Sequence, residues 1–364
     1  MTASTLTVKD RINAIRAAVP TPHTVDLQFE SCRLRVDCST TDLKDGLIAY
    51  FGNFVATVPG SEAHMRITVH EGPAPEIPEA LTVKQPDPGK TKIKEEHLDL
   101  ADGRIVRKRL TGMVFYFTKE DHLAVGPCLD NLNQVVNFIN NRFIQWRLCQ
   151  GALLGHAAAV AKNGRGLAMA GFSGAGKSTL SLHVMAGETT FVSNDRLMVT
   201  PEGDGLMMSG VAKLPRINPG TILNNPKLSS LLSEAEKAAF SALPKEALWE
   251  LEHKFDVPID TCFGENRFAL SAEMTGLVIL NWQHNDAPTQ VAVVDPAERS
   301  DLLPAFMKAT GLFFLPHADC RMPEPSLENY TEMLSRCTLI EVSGGVNFDL
   351  AAQACLRFLE TGAL

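Results

Sequence analysis

The run Gly171-Phe-Ser-Gly-Ala-Gly-Lys-Ser178 leaves the backbone few paths to follow. Glycines at 171, 174 and 176 allow a tight bend that Cβ atoms would obstruct. The flanks read as a strand, "RGLAMAG", on one side and a helix from about Lys177 to Met185 on the other. Such a strand-turn-helix unit points several N–H groups at one spot and adds the positive end of a helix. The eight residues fit G-x-x-x-x-G-K-[ST] in full, which in this context implies a phosphate cradle. The expected contacts to a nucleotide are Gly171, Ser173, Gly174, Ala175, Gly176, Lys177, Ser178 and Thr179. Lys177 is placed on the β- and γ-phosphates, and Ser178 offers a hydroxyl to Mg²⁺, an ion that takes few protein oxygens.

Two acids compete for the metal. "VAVVD", ending at Asp295, is an apolar strand followed by a carboxylate. "FVSNDR" carries Asp195 eighteen residues beyond Lys177, so its strand must follow directly after the helix of the turn. In a parallel sheet that strand lies close to the first, with its C-terminal end at the same crevice. Asp195 is therefore preferred.

Length and composition set the frame. A chain of 364 residues suggests two domains, because single cores stop growing near roughly 250 to 300 residues. Hydrophobic residues make up 45% and charged residues 21%, as in a globular chain. The net charge of -8 comes with no long basic run, which argues against a nucleic-acid partner. The eight cysteines form no CxxC pair and read mostly as reduced core thiols. The N-terminus lacks the apolar core of a signal peptide, and no apolar run approaches the roughly 20 residues needed to cross a bilayer. A cytoplasmic location and no membrane partner are expected.

Along the front third, "VDLQFESCRLRVDC", "MRITVHEG" and "GRIVRKRLTGMVFYFT" read as strands, and Leu43, Leu47, Ile48, Phe51, Phe54 and Val55 recur at helical spacing. Residues 72–96, with five prolines, read as an exposed connection. From Asp130 an apolar helix face runs through Leu132, Val136, Ile139, Phe143 and Trp146 to about Cys149. Strands follow at "HAAAVAKNG", "TTFVSND", "LVILNW" and "VAVVD", and the chain closes on a capped amphipathic helix near "NFDLAAQACLRFL". The expected architecture is α/β throughout: a smaller N-terminal α/β domain over residues 1–125 and the domain of the glycine turn over 126–364.

The run His156 to Val199, "HAAAVAKNGRGLAMAGFSGAGKSTLSLHVMAGETTFVSNDRLMV", resembles the core of the HPr kinase/phosphorylase family. There a His opens a strand, a second strand leads into G-x-S-G-x-G-K-S, and an Asp-Asp pair follows the helix. It is more similar still to the HPr kinase-related bacterial kinases, through "SNDR" and "LPRINPG". Both groups share a P-loop kinase fold related to phosphoenolpyruvate carboxykinase, and the match covers about Gly155 to Thr221. The resemblance implies ATP and Mg²⁺ as cofactors, Ser178 and Asp195 as metal ligands, and His156 beside the transfer site. One position departs from the pattern: the first acid of the pair is Asn194, whose amide cannot accept a proton as a carboxylate does. Three remedies stand open: Asp195 as base, His156 as base, or an acceptor needing no strong base. The last is credible because phosphoryl transfer draws most of its acceleration from positioning and charge neutralisation.

Around this core, "GVAKLPRINPGT" supplies Lys213 and Arg216, the latter expected to neutralise charge during transfer. Arg196 is expected to pair with an acid, and His183 to pack. Residues 227–260 read as solvated helix and loop, and no metal role is given to His317, Asp319 and Cys320. The expectation is an ATP-dependent kinase acting on a hydroxyl of a protein or small molecule, with Asp195, His156 and Arg216 as its catalytic residues. The N-terminal domain is expected to choose the acceptor or build a homo-oligomer. Two rivals are kept: an ATP-binding sensor or scaffold, and a P-loop ATPase using Asp295.

Overall fold

In the computed structural model, residues 6–57, 62–86 and 91–364 are described. The chain divides into two compact units, Met1–Trp146 with Thr310–Cys320, and Arg147–Ala309 with Arg321–Leu364. The expected division lay at 125/126.

In the first unit, α1 (Val8–Ala18) opens on a capping box between Thr7 and Asp10. It buries Val8 and Ile12 against Ile105, Val114, Tyr116, Leu123 and Val125 of the sheet. The alternating run expected as one strand folds as two, β1 (His23–Phe29) and β2 (Cys32–Cys38), paired antiparallel around Glu30, whose φ is +53°. After α2 (Thr41–Phe51) come β3 (Met65–Glu71), β4 (Thr82–Val83), β5 (Glu95–Leu100), β6 (Gly103–Lys108), β7 (Val114–Thr118) and β8 (Asp121–Gly126). They form one eight-stranded sheet in the order β1-β2-β3-β8-β7-β6-β5-β4, with only β2/β3 and β3/β8 parallel. The proline-rich connection contributes the short β4 and the start of β5 to this sheet; its residues 87–90 lie outside the described residues. The helix expected from Asp130 is α3 (Leu132–Leu148).

The second unit carries the glycine turn. Its elements are β9 (Leu153–Gly155), β10 (Ala157–Lys162), β11 (Arg165–Gly171), α4 (Lys177–Met185), β12 (Thr190–Ser193), β13 (Leu197–Glu202) and β14 (Gly205–Ser209). Then follow β15 (Arg216–Ile217), α5 (Pro219–Leu223), α6 (Glu234–Ser241), α7 (Lys245–Glu250), β16 (Phe255–Asp256) and α8 (Ile259–Phe263). The last are β17 (Ser271–Leu280), β18 (Gln290–Val294), α9 (Leu327–Leu334), β19 (Thr338–Ser343) and α10 (Phe348–Thr361).

β11 reads as a continuous apolar run because both its faces are covered. Leu167 and Met169 pack with Leu180 and Val184 of α4 and with Cys355 and Phe358 of α10. Ala168 and Ala170 face the other way, toward Leu303, Phe306, Tyr330 and Leu334. β11, β17 and β19 run parallel, and β10 lies antiparallel to β11 and also to β12. β12 therefore points the same way as β11, yet it is not its neighbour as a simple parallel sheet would have it: β10 stands between them. The ends of β11, β12, β17 and β19 and the start of β10 all meet one edge of the sheet, and that convergence makes the site.

Candidate active site

At that edge the chain leaves β11 through Gly171 and enters α4 at Lys177. Gly174 and Gly176 hold φ of +83° and +91°, and a Cβ on Gly176 would come within 2.6 Å of the Phe348 ring, so glycine is required there twice over. No side chain caps α4 and no acid lies in its first turn. Leu180 N–H bonds Gly176 O at 2.8 Å, so the N–H groups of Lys177, Ser178 and Thr179 precede the helical ladder. Ala175 is engaged otherwise: its N–H bonds Phe172 O at 3.1 Å and its carbonyl accepts from Trp282 Nε1 at 2.9 Å. The Thr179 hydroxyl is shared with Thr221 at 2.8 Å, which leaves the Thr179 backbone as the part that faces an anion.

Lys177 is buried and donates to Gly171 O at 2.7 Å and Phe172 O at 3.4 Å. An ammonium has three donors, so one is left for a ligand. Burial lowers its pKa below the ordinary value, with Asp195 opposing that and Lys308 adding to it.

His156, just ahead of β10, and Asp195, just beyond β12, reach the same edge from the other side of β11. His156 Nε2 lies 2.9 Å from Asp195 Oδ1, and Arg196 clasps the second carboxylate oxygen. Burial by itself pushes the Asp195 carboxyl up; the hydrogen bond with His156 and the charges of Arg196 and Lys308 outweigh that and hold it well below the usual carboxylate range. Asp195 therefore stays ionised at neutral pH.

Lys308 has no motif around it and was not expected. The segment after Phe306 runs antiparallel to β9: His156 N–H bonds Phe306 O at 2.6 Å, Lys308 N–H bonds Leu154 O at 3.1 Å, and Gly155 bridges Met307. A Cβ on Gly155 would meet the Phe306 ring at 2.3 Å, so this approach also depends on glycine. Lys213 belongs to the same field, its pKa lowered by burial and partly restored by Asp195.

Two expected residues are engaged by partners of their own, although the charge of Arg216 still bears on Lys213. Arg216 is exposed and pairs with Asp256 at 3.0 Å across the β15/β16 ribbon, so its guanidinium is held by a carboxylate. Asp295 follows β18, which runs antiparallel to β19, and the register Val294-Leu339-Leu277-Ala168 sets it near the opposite edge. Three strand spacings and about four residues of rise separate it from Gly171, on the order of 14 Å across and 13 Å along. Its Oδ1 instead accepts Ala297 N–H at 2.7 Å. His183 packs as expected, stacked on Phe348 at 5.6 Å.

The residue types here fit Mg²⁺, which takes hard oxygens: Asn194 Oδ1 is buried with no hydrogen-bond partner, and its neighbour in sequence, Asp195, is ionised. Ser178 adds a hydroxyl at the start of α4.

No family model matches this chain, and no curated protein does. Among solved structures it is similar to the HPr(Ser) kinase/phosphatase from Coxiella burnetii, at 12% identity over 55% of this chain and 86% of that one, with a TM-score of 0.28. Agreement that loose transfers no residue role. The chain is a mixed α/β protein with several sheets, and among the described residues no helix is long and apolar enough to cross a membrane.

Proposed function

We propose that this chain is an ATP-dependent phosphotransferase of P-loop type, moving the γ-phosphoryl group of ATP to a hydroxyl of a protein or small molecule. One observation carries the reading: the His156–Asp195 pair, at 2.9 Å, shares the sheet edge with the uncapped turn and with the ammonium of Lys177. The turn N–H groups and the free donor of Lys177 would hold the phosphates, while Lys213 and Lys308 would offset their charge. Ser178, Asp195 and Asn194 would hold Mg²⁺. Held there, the ion would supply charge neutralisation on the phosphates during transfer.

Asp195 is a poor base because its carboxyl is held so acidic, and a good anion for the same reason. The acceptor proton is assigned to His156, whose Nε2 edge faces Asp195 and whose Nδ1 remains to accept it. The acceptor oxygen bonds to the γ-phosphorus, the bond to the β,γ-bridging oxygen breaks, and ADP leaves with the electron pair. The first unit is assigned to acceptor choice or self-association.

The test is incubation with γ-labelled ATP, Mg²⁺ and a fractionated lysate, comparing the wild type with His156→Ala and Asp195→Ala. Label should pass to a specific acceptor only with the wild type. Tight ATP binding with no label transferred in any fraction would instead favour a sensor, the reading to which Asn194 lends support.

A further inference from the structure

Beside the turn lies a pocket of about 330 Å³, bounded by Phe172 to Ala175 on one side and by the residues from Leu280 to His284 on the other. Resting on the nucleotide reading, we propose that it takes the nucleobase of the bound nucleotide.

Direction is the first argument. His156 and Asp195 lie on the β10/β12 side of β11, whereas β17 flanks β11 on the opposite side. A triphosphate whose terminal phosphate faces Asp195 must run across the turn, so its nucleoside end leaves toward the end of β17, where the pocket opens. An acceptor hydroxyl belongs at the other end, next to His156.

Chemistry is the second. The cations gather on the Asp195 side, and the residues lining the pocket include no Asp, Glu, Lys or Arg. It suits a neutral planar group better than a phosphate. Phe172 is 60% exposed at its lip, leaving much of an apolar ring open. Trp282 is 9% exposed and fixed by its bond to Ala175 O, so the wall is rigid and tied to the phosphate turn itself. The His284 ring sits 4.0 Å from the Trp249 ring, over which Lys245 Nζ lies at 5.0 Å, so the aromatic surface continues beyond the pocket and ends at a cation. Gln283 supplies a polar group to read a base edge, and the volume falls at the small end of the range for ligand pockets, about 300 to 1,000 Å³.

The test is calorimetry in Mg²⁺ with two probes, ATP and inorganic tripolyphosphate, on the wild type, Phe172→Ala and His284→Ala. The wild type should bind ATP about 5- to 100-fold more tightly than tripolyphosphate, the span that stacking one base supplies. Each substitution should weaken ATP by about 5- to 10-fold and leave tripolyphosphate unchanged. Equal affinity of the wild type for both probes would overturn the base pocket while keeping the phosphate turn. Parallel loss of both probes in Phe172→Ala would overturn it too, making that ring a prop for the turn. If the wild type bound neither probe, the nucleotide reading would fall and the pocket with it.

Discussion

Asp195 and Lys308, far apart in sequence, act on one another at the sheet edge, where the lysine helps keep the carboxyl ionised against the pull of burial. The lysine reaches that edge because its backbone pairs with Leu154 just before His156. Replacing Lys308 with Ala should lower kcat by about 10-fold, the cost of losing one cation from a charged site, with Arg restoring part of it. Steady-state kinetics of the three proteins check this; an unchanged kcat in Lys308→Ala would remove the residue from the site.

Asp195→Ala should reduce Mg²⁺-dependent turnover by about 10²-fold or more. Asp295→Ala should stay within about twofold, as expected for a surface change away from the chemistry. Phosphate release from the paired variants reads both effects, and the reverse ranking would refute the site described above.

The acidic carboxyl of Asp195 also makes a statement about stability. Its folded pKa lies below the ordinary 3.8, so the His156 and Arg196 contacts stabilise the fold fully at neutral pH. That contribution is lost as pH falls below about 4 toward the folded value. The difference in unfolding midpoint between wild type and Asp195→Asn should shrink as pH falls below about 4. A difference that grew on acidification would contradict the sign.

Asn194→Asp tests where the proton goes. With His156 as acceptor, a second carboxylate should change label transfer by less than about threefold, since the base is already present. A rise of about 10² or more would mean that the natural site lacks its base and that the protein is a nucleotide sensor.

Local sequence settled the pieces. The helix read as Lys177 to Met185 has those bounds in the structure, and the strand before it ends at Gly171, because glycine spacing and apolar periodicity act over a few residues. His156 and Asp195, singled out before and after the turn in sequence, lie 2.9 Å apart in the structure. The sequence did not reveal that β10 separates β11 from β12, that β18 runs backward and carries Asp295 to the far edge, or that Asp256 holds Arg216. It gave no sign of Lys308, Trp282 or Phe348 at the turn. Strand order and the meeting of distant loops follow from which apolar faces bury one another across the whole chain, and no short window contains that choice.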